Sequence, residues 1–134
     1  MSDVTDVLHS SMSLTKTLGI RGVEATADRV VVELDWSADL LTSGGLLHGG
    51  AVMAVADTAG GTCAFLNLPE GAVGTSTIES KTNFLGGTKE GDTLRATAVP
   101  LHVGGSTIVV ETVLRVGDRL VGKTIQTQSV LHPR

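Results

Sequence analysis

The spacing of apolar and polar positions changes along the chain, and the changes mark out its elements. Over residues 3–18 the apolar positions recur at helical intervals, and Val4, Val7, Leu8, Met12 and Leu14 form the stripe expected to be buried. Gly19 ends that helix. The period then falls to two: residues 20–25 and 29–36 read as the arms of a hairpin around Thr26-Ala27-Asp28. In the second arm Val30, Val32 and Leu34 alternate with Val31, Glu33 and Asp35. Residues 37–47, rich in glycine and polar side chains, form a loop. Residues 49–67 are apolar on nearly every face, the pattern of a buried helix, and Pro69-Glu70-Gly71 is a turn. The remainder is β in character: a long strand over residues 72–85, a loop over 86–92, and strands over 93–103, 107–116 and 120–131. Gly104-Gly105-Ser106 and Gly117-Asp118 are tight hairpin turns. Pro100, inside a strand, predicts an edge or a bulge.

This order, a helix, two strands, a long helix and four strands, predicts an α+β fold in one domain spanning residues 1–134. An antiparallel sheet curled around the single long helix is its simplest form. Composition sharpens the picture. Seventeen glycines and only three aromatic residues point to close backbone approach along the central helix. The net charge of −4, with basic residues scattered, shows no footprint for nucleic acid or an anionic membrane. A single cysteine allows no internal disulfide and predicts a reducing, cytoplasmic setting. The acid-containing start MSDVTDVLHSS is unlike a secretory signal, and no apolar run approaches the ~20 residues of a membrane span.

The chemistry concentrates in LLHGGAVMAVAD, residues 46–57. Gly49 and Gly50 fall in the first turn of the central helix, where backbone N–H groups lack helical partners and the dipole is positive. Such an end can polarise a carbonyl oxygen. Two turns later stands Asp57, a carboxylate in an apolar helix, and carboxylates are rarely buried without a reason. From the residues alone Asp57 is either an acid–base or nucleophilic group, or a structural acid paired with a nearby hydroxyl or N–H. His48 is either a cap or a substrate contact. Cys63 reads as an inert buried thiol. His9, His102 and His132 are dispersed, no metal-ligand spacing joins them to a carboxylate, and no cofactor is called for.

HGG at the mouth of this helix, with an acid eight residues after the first glycine, resembles the hotdog-fold acyl-CoA thioesterases, most closely the phenylacetic-acid-pathway (PaaI-like) type related to hydroxybenzoyl-CoA and dihydroxynaphthoyl-CoA thioesterases. Asn83-Phe84, Glu90-Gly91-Asp92 and Pro100-Leu101-His102-Val103-Gly104 extend the likeness, which runs from about Gly19 to Leu131. The resemblance implies hydrolysis of an aryl-acyl- or medium-chain acyl-CoA, with Asp57 as nucleophile or base and the Gly49 N–H on the thioester carbonyl. It implies supporting roles for Thr42, His48 and Gly50, and substrate contacts from Gly61, Thr62, Ser76, Thr77 and Phe84. Thr42 stands where relatives carry Asn or Gln. Gly86, Gly105 and Ser106 stand where relatives often carry bases that hold CoA, leaving Lys89, Arg95, Arg115, Arg119 and Lys123 as substitutes. Two other functions fit the pattern less closely: a non-catalytic acyl-CoA-binding protein, and a hotdog hydratase or dehydratase built on a catalytic His.

Helix geometry adds a constraint of its own. Eight residues of helix span ~12 Å, too far for Gly49 and Asp57 of one chain to meet at one carbonyl carbon. Two such helices lying antiparallel across a twofold axis would bring Gly49 of one to Asp57 of the other. The expectation is a homodimer with two shared sites, and in this family such dimers often pair again into tetramers.

Overall fold

The computed structural model describes residues 3–134. Its elements are α1 (Asp3–Ser11), α2 (Ser13–Leu18), β1 (Arg21–Ala25), β2 (Val30–Asp35), α3 (Gly49–Phe65), β3 (Gly74–Phe84), β4 (Thr93–Val103), β5 (Thr107–Val116) and β6 (Arg119–Leu131). The six strands form one sheet in the order β1-β2-β4-β5-β6-β3, antiparallel at every pairing. The α3 helix lies mainly across β4, β2 and β5. This is the α+β arrangement expected from the order of elements, one antiparallel sheet against a single long helix, and it is the hotdog fold that the resemblance implied.

The core lies between sheet and helix. Val30, Val32 and Leu34 of β2, Leu94, Ala96 and Ala98 of β4, and Ile108, Val110 and Leu114 of β5 meet Val52, Val55, Ala56, Ala59, Cys63 and Ala64 of α3. Small side chains on α3 let the helix backbone settle close to the sheet. Each larger side chain that is fully buried there, such as Val55, contributes roughly 1.5–3 kcal/mol. The β2 alternation holds for the inward residues, but Val31 is only 1 % exposed and lies outside that core cluster. Pro100 sits at a β4–β5 register shift, beyond the end of the β2–β4 pairing at Ala98. Its missing N–H therefore breaks no β2 ladder bond.

The N-terminal segment departs from expectation. The single helix over residues 3–18 is two helices, broken at Met12, whose backbone is extended (φ −134, ψ 93). Ser11 Oγ donates to the Val7 carbonyl at 2.7 Å and Ser10 Oγ to the same oxygen at 3.2 Å. Hydroxyls bonding back onto helix carbonyls compete with the helix ladder. The predicted stripe splits accordingly. Leu8 is buried and Val4 and Met12 pack on the core, but Val7 (62 %) and Leu14 (57 %) are exposed, and Thr15 is buried instead. Gly19 does end the segment, in the left-handed region (φ 80), its N–H bonding back to Thr15 and Lys16 carbonyls.

Candidate active site

The start of α3 is fixed by His48. Its backbone is extended (φ −60, ψ 136), and its Nδ1 accepts the Gly50 N–H at 2.8 Å. With Nδ1 accepting, the proton of the neutral ring sits on Nε2. The cap uses the Gly50 donor, and the Gly49 N–H, at the first helical position, has no intrahelical acceptor. The Phe84 ring stands beside Gly49, 3.5 Å from where a Cβ would be. Thr42 is exposed, in the loop that the Leu41–Leu47 bridge closes before the helix.

Asp57 lies two turns on. The helix is not covered all round: Met53, Asp57 and Phe65 form an exposed stripe at four-residue multiples. Asp57 is thus exposed in the single chain, contrary to the buried position its apolar neighbours suggested. Its carboxylate is nevertheless held. Thr77 Oγ1 donates to Oδ1 at 2.9 Å and Gln126 Nε2 donates to the same oxygen at 3.1 Å. Gln128 Nε2 in turn donates to Thr77 Oγ1 at 2.6 Å. A register shift between Thr77 and Glu79 in β3 marks a bulge beside this contact, a common device for re-aiming a side chain at a site.

Asp57, Gly61, Thr62, Thr77 and Gln128 line one cleft of about 640 Å³, whose apolar wall includes Val7 and Met12 from the N-terminal segment and Phe65 from the end of α3. That volume falls within the range of small-molecule sites. The expected site residues therefore sort into two groups on one chain. Asp57, Gly61, Thr62 and Thr77 share the cleft; Thr42, His48, Gly49, Gly50 and Phe84 sit at the mouth of the helix. Ser76 belongs to neither, because alternation along β3 turns it away from the face carrying Thr75 and Thr77. Gln126 and Gln128 were not anticipated. The available signal was their two-residue spacing in phase with Val130, which places all three on the inward face of β6.

Cys63 is fully buried, and desolvation raises its thiol from 9.0 to about 11, the opposite of what a nucleophile needs. Among the described residues no group of three or more His, Cys, Asp or Glu side chains could hold a metal ion. No described helix is long and apolar enough to cross a membrane.

A family model described as the thioesterase superfamily matches residues 44–123, from the loop before α3 into β6. The chain belongs to the thioesterase superfamily. This thioesterase is 37% identical over 104 residues to ComA2 of Bacillus subtilis, described as a candidate esterase, covering 78% of this chain and 79% of that one. The crystal structure of thioesterase HI1161 from Haemophilus influenzae superposes with a TM-score of 0.86 at 24% identity, covering 98% of this chain and 93% of that one. E. coli PaaI, from the phenylacetic acid degradation operon, superposes with a TM-score of 0.85 at 22% identity, covering 96% and 91%. The two superpositions agree on the fold, and the family makes the chain a thioester hydrolase.

Proposed function

We propose that this thioesterase hydrolyses an aryl-acyl- or medium-chain acyl-CoA to the free acid and CoA. The observation that carries the reading is the Asp57 carboxylate, fixed by two donors on one oxygen at the wall of a largely apolar cleft. As general base, Asp57 takes a proton from water while that water attacks the thioester carbon. The carbonyl electron pair moves onto oxygen, where the Gly49 N–H stabilises the charge. Collapse breaks the C–S bond, and the proton passes to the departing thiolate. As nucleophile, Asp57 instead attacks the thioester carbon and expels the CoA thiolate, which takes up a proton from water. Water then cleaves the resulting anhydride, releasing the free acid and restoring the Asp57 carboxylate. His48, with one ring nitrogen engaged in the cap, supports hydrolysis over the His-dependent hydration alternative.

The active unit in this reading is a homodimer, with pairing of dimers into a tetramer as the further step. Support comes from the division of the site residues into two groups, from the open stripe of α3, and from β3. That strand ends the sheet, pairs among the described residues only with β6, and carries exposed Ile78 and Phe84. A long free edge of this kind is a template for a second strand. A cytoplasmic location is in keeping with the one free, buried thiol.

The test is turnover of benzoyl-, phenylacetyl- and octanoyl-CoA followed by thiol release, with wild type and Asp57→Asn. Asp57→Asn keeps the volume and removes the base, so kcat should fall at least ~100-fold. A changed KM with intact kcat counts against Asp57. Acyl-CoA binding with no turnover by the wild type would favour the non-catalytic alternative.

A further inference from the structure

We propose that Gln126 and Gln128 are positioning residues that pin Asp57 by its Oδ1, one directly and one through the Thr77 hydroxyl, so that Oδ2 is the oxygen presented to substrate. The inference rests on Asp57 being the reactive acid.

The direction of the hydrogen bonds settles the roles. Gln128 Nε2 can only donate, so Thr77 Oγ1 accepts from it and spends its own proton on Asp57 Oδ1. Gln126 Nε2 supplies a second donor to the same Oδ1. Among the described residues Oδ2 has no such partner. An ionised carboxylate with both donors on one oxygen is restrained in rotation and leaves the other oxygen free for water or a carbonyl carbon.

Stability alone is a poor account of these glutamines. Gln126 is 0 % and Gln128 1 % exposed, positions where an aliphatic residue would serve a β6 core face better. Gln126 Oε1 is buried with no partner in the structure, which is costly for an amide. The amide is accommodated by Gly60, because a Cβ there would collide with the Gln126 Oε1. A helix interior normally favours Ala over Gly. Both departures have one local rationale, delivery of the Gln126 N–H to Asp57.

The test compares Gln126→Met, Gly60→Ala, Gln128→Met, Thr77→Val and the Gln128→Met/Thr77→Val double variant, using the fastest acyl-CoA of the three above. Gln126→Met removes the donor at similar volume; Gly60→Ala pushes it aside while favouring the helix. Each should lower kcat about tenfold with KM within about twofold. Gln128→Met should cost about tenfold in kcat with Thr77 present and no more than about twofold in the Thr77→Val background, because it acts through that hydroxyl. Folding is checked by thermal melts, and if Gln126→Met fails to fold, Gly60→Ala decides that arm. Unchanged kcat in folded Gln126→Met or Gly60→Ala overturns the proposal, as does an equal loss from Gln128→Met in both backgrounds. Asp57→Asn separates the two readings. If it is inactive while the glutamine variants are unaffected, only the positioning role fails; if it retains kcat, or no thioester is turned over, both fail.

Discussion

Two inactive variants should restore each other's activity if the site is shared between chains. Gly49 and Asp57 stand eight residues apart on α3, which places them ~12 Å apart along the axis and roughly 80° apart around it. One variant is Asp57→Ala. The other is Gly49→Pro, which deletes the N–H at the first helical position, where proline is tolerated. The structure accommodates it: His48 already has the extended backbone that a residue before proline requires, and a Cβ at 49 would meet Phe84 at an ordinary 3.5 Å. Loss of an oxyanion donor costs about 100- to 1000-fold, so each parent should be nearly dead. In a mixed dimer one site carries both defects and the other carries neither. Random exchange makes half the dimers mixed, with one good site of two, so activity should return to about a quarter of wild type. Sizing and tagged pull-down establish that both variants fold and exchange. Complete exchange with activity still at the parental level would refute the shared site.

Three further outcomes follow from particular residues. Thr42→Val should lower kcat and Thr42→Gln should hold or raise it, if the hydroxyl stands in for an amide; an unaffected Thr42→Val removes Thr42 from the site. Arg119 lies over Gly86, its Nη1 3.0 Å from where a Cβ would be. It donates to the Gly87 carbonyl and reaches Asp92 only at 3.7 Å, whereas Arg95 and Lys123 pair with Glu33 and Glu111 at 2.9 and 3.1 Å. Arg119→Gln should therefore raise KM for acyl-CoA by about three- to tenfold but leave KM for the matching N-acetylcysteamine thioester unchanged; equal effects on both would refute phosphate contact. Cys63 is held neutral by burial up to about pH 11. Because its folded pKa is raised, its contribution to stability is present below about 9 and lost as pH rises toward 11. Denaturant titrations should show that loss in wild type and not in Cys63→Ala, while kcat of Cys63→Ala stays at the wild-type level.

The elements with a clean period were legible from the sequence. β2, β4 and β5 alternate apolar residues toward one face, and the glycine turns joining the last three strands set their register. The central helix and its His-Gly-Gly start were equally plain. Less legible was anything decided by groups distant in sequence. The break at Met12 depends on serine hydroxyls that a helical stripe does not weigh. The apolar neighbours of Asp57 predict a buried position, but a stripe of α3 stays open in the single chain. The largest omission was β6, where Thr124, Gln126 and Gln128 face inward. Alternation marks apolar residues as the inner set, and here polar residues occupy that phase, with Ile125 on the other one. Only the position of Asp57 across the helix–sheet gap explains why glutamine stands there.

The glycine in the middle of α3 links two positions 66 residues apart in the chain. With the Gln126 amide where it is, a Cβ at position 60 would collide with it, so a side chain at 60 displaces the amide and the two positions are coupled. Among related sequences the two should covary: alanine or serine at 60 should accompany a smaller residue at 126, and glutamine at 126 should accompany glycine at 60. A mutational library that varies position 126 with Gly60 fixed explores only half of this arrangement. Smaller choices there are fully explored only when position 60 is randomised with them, because the space under the helix belongs to both residues at once.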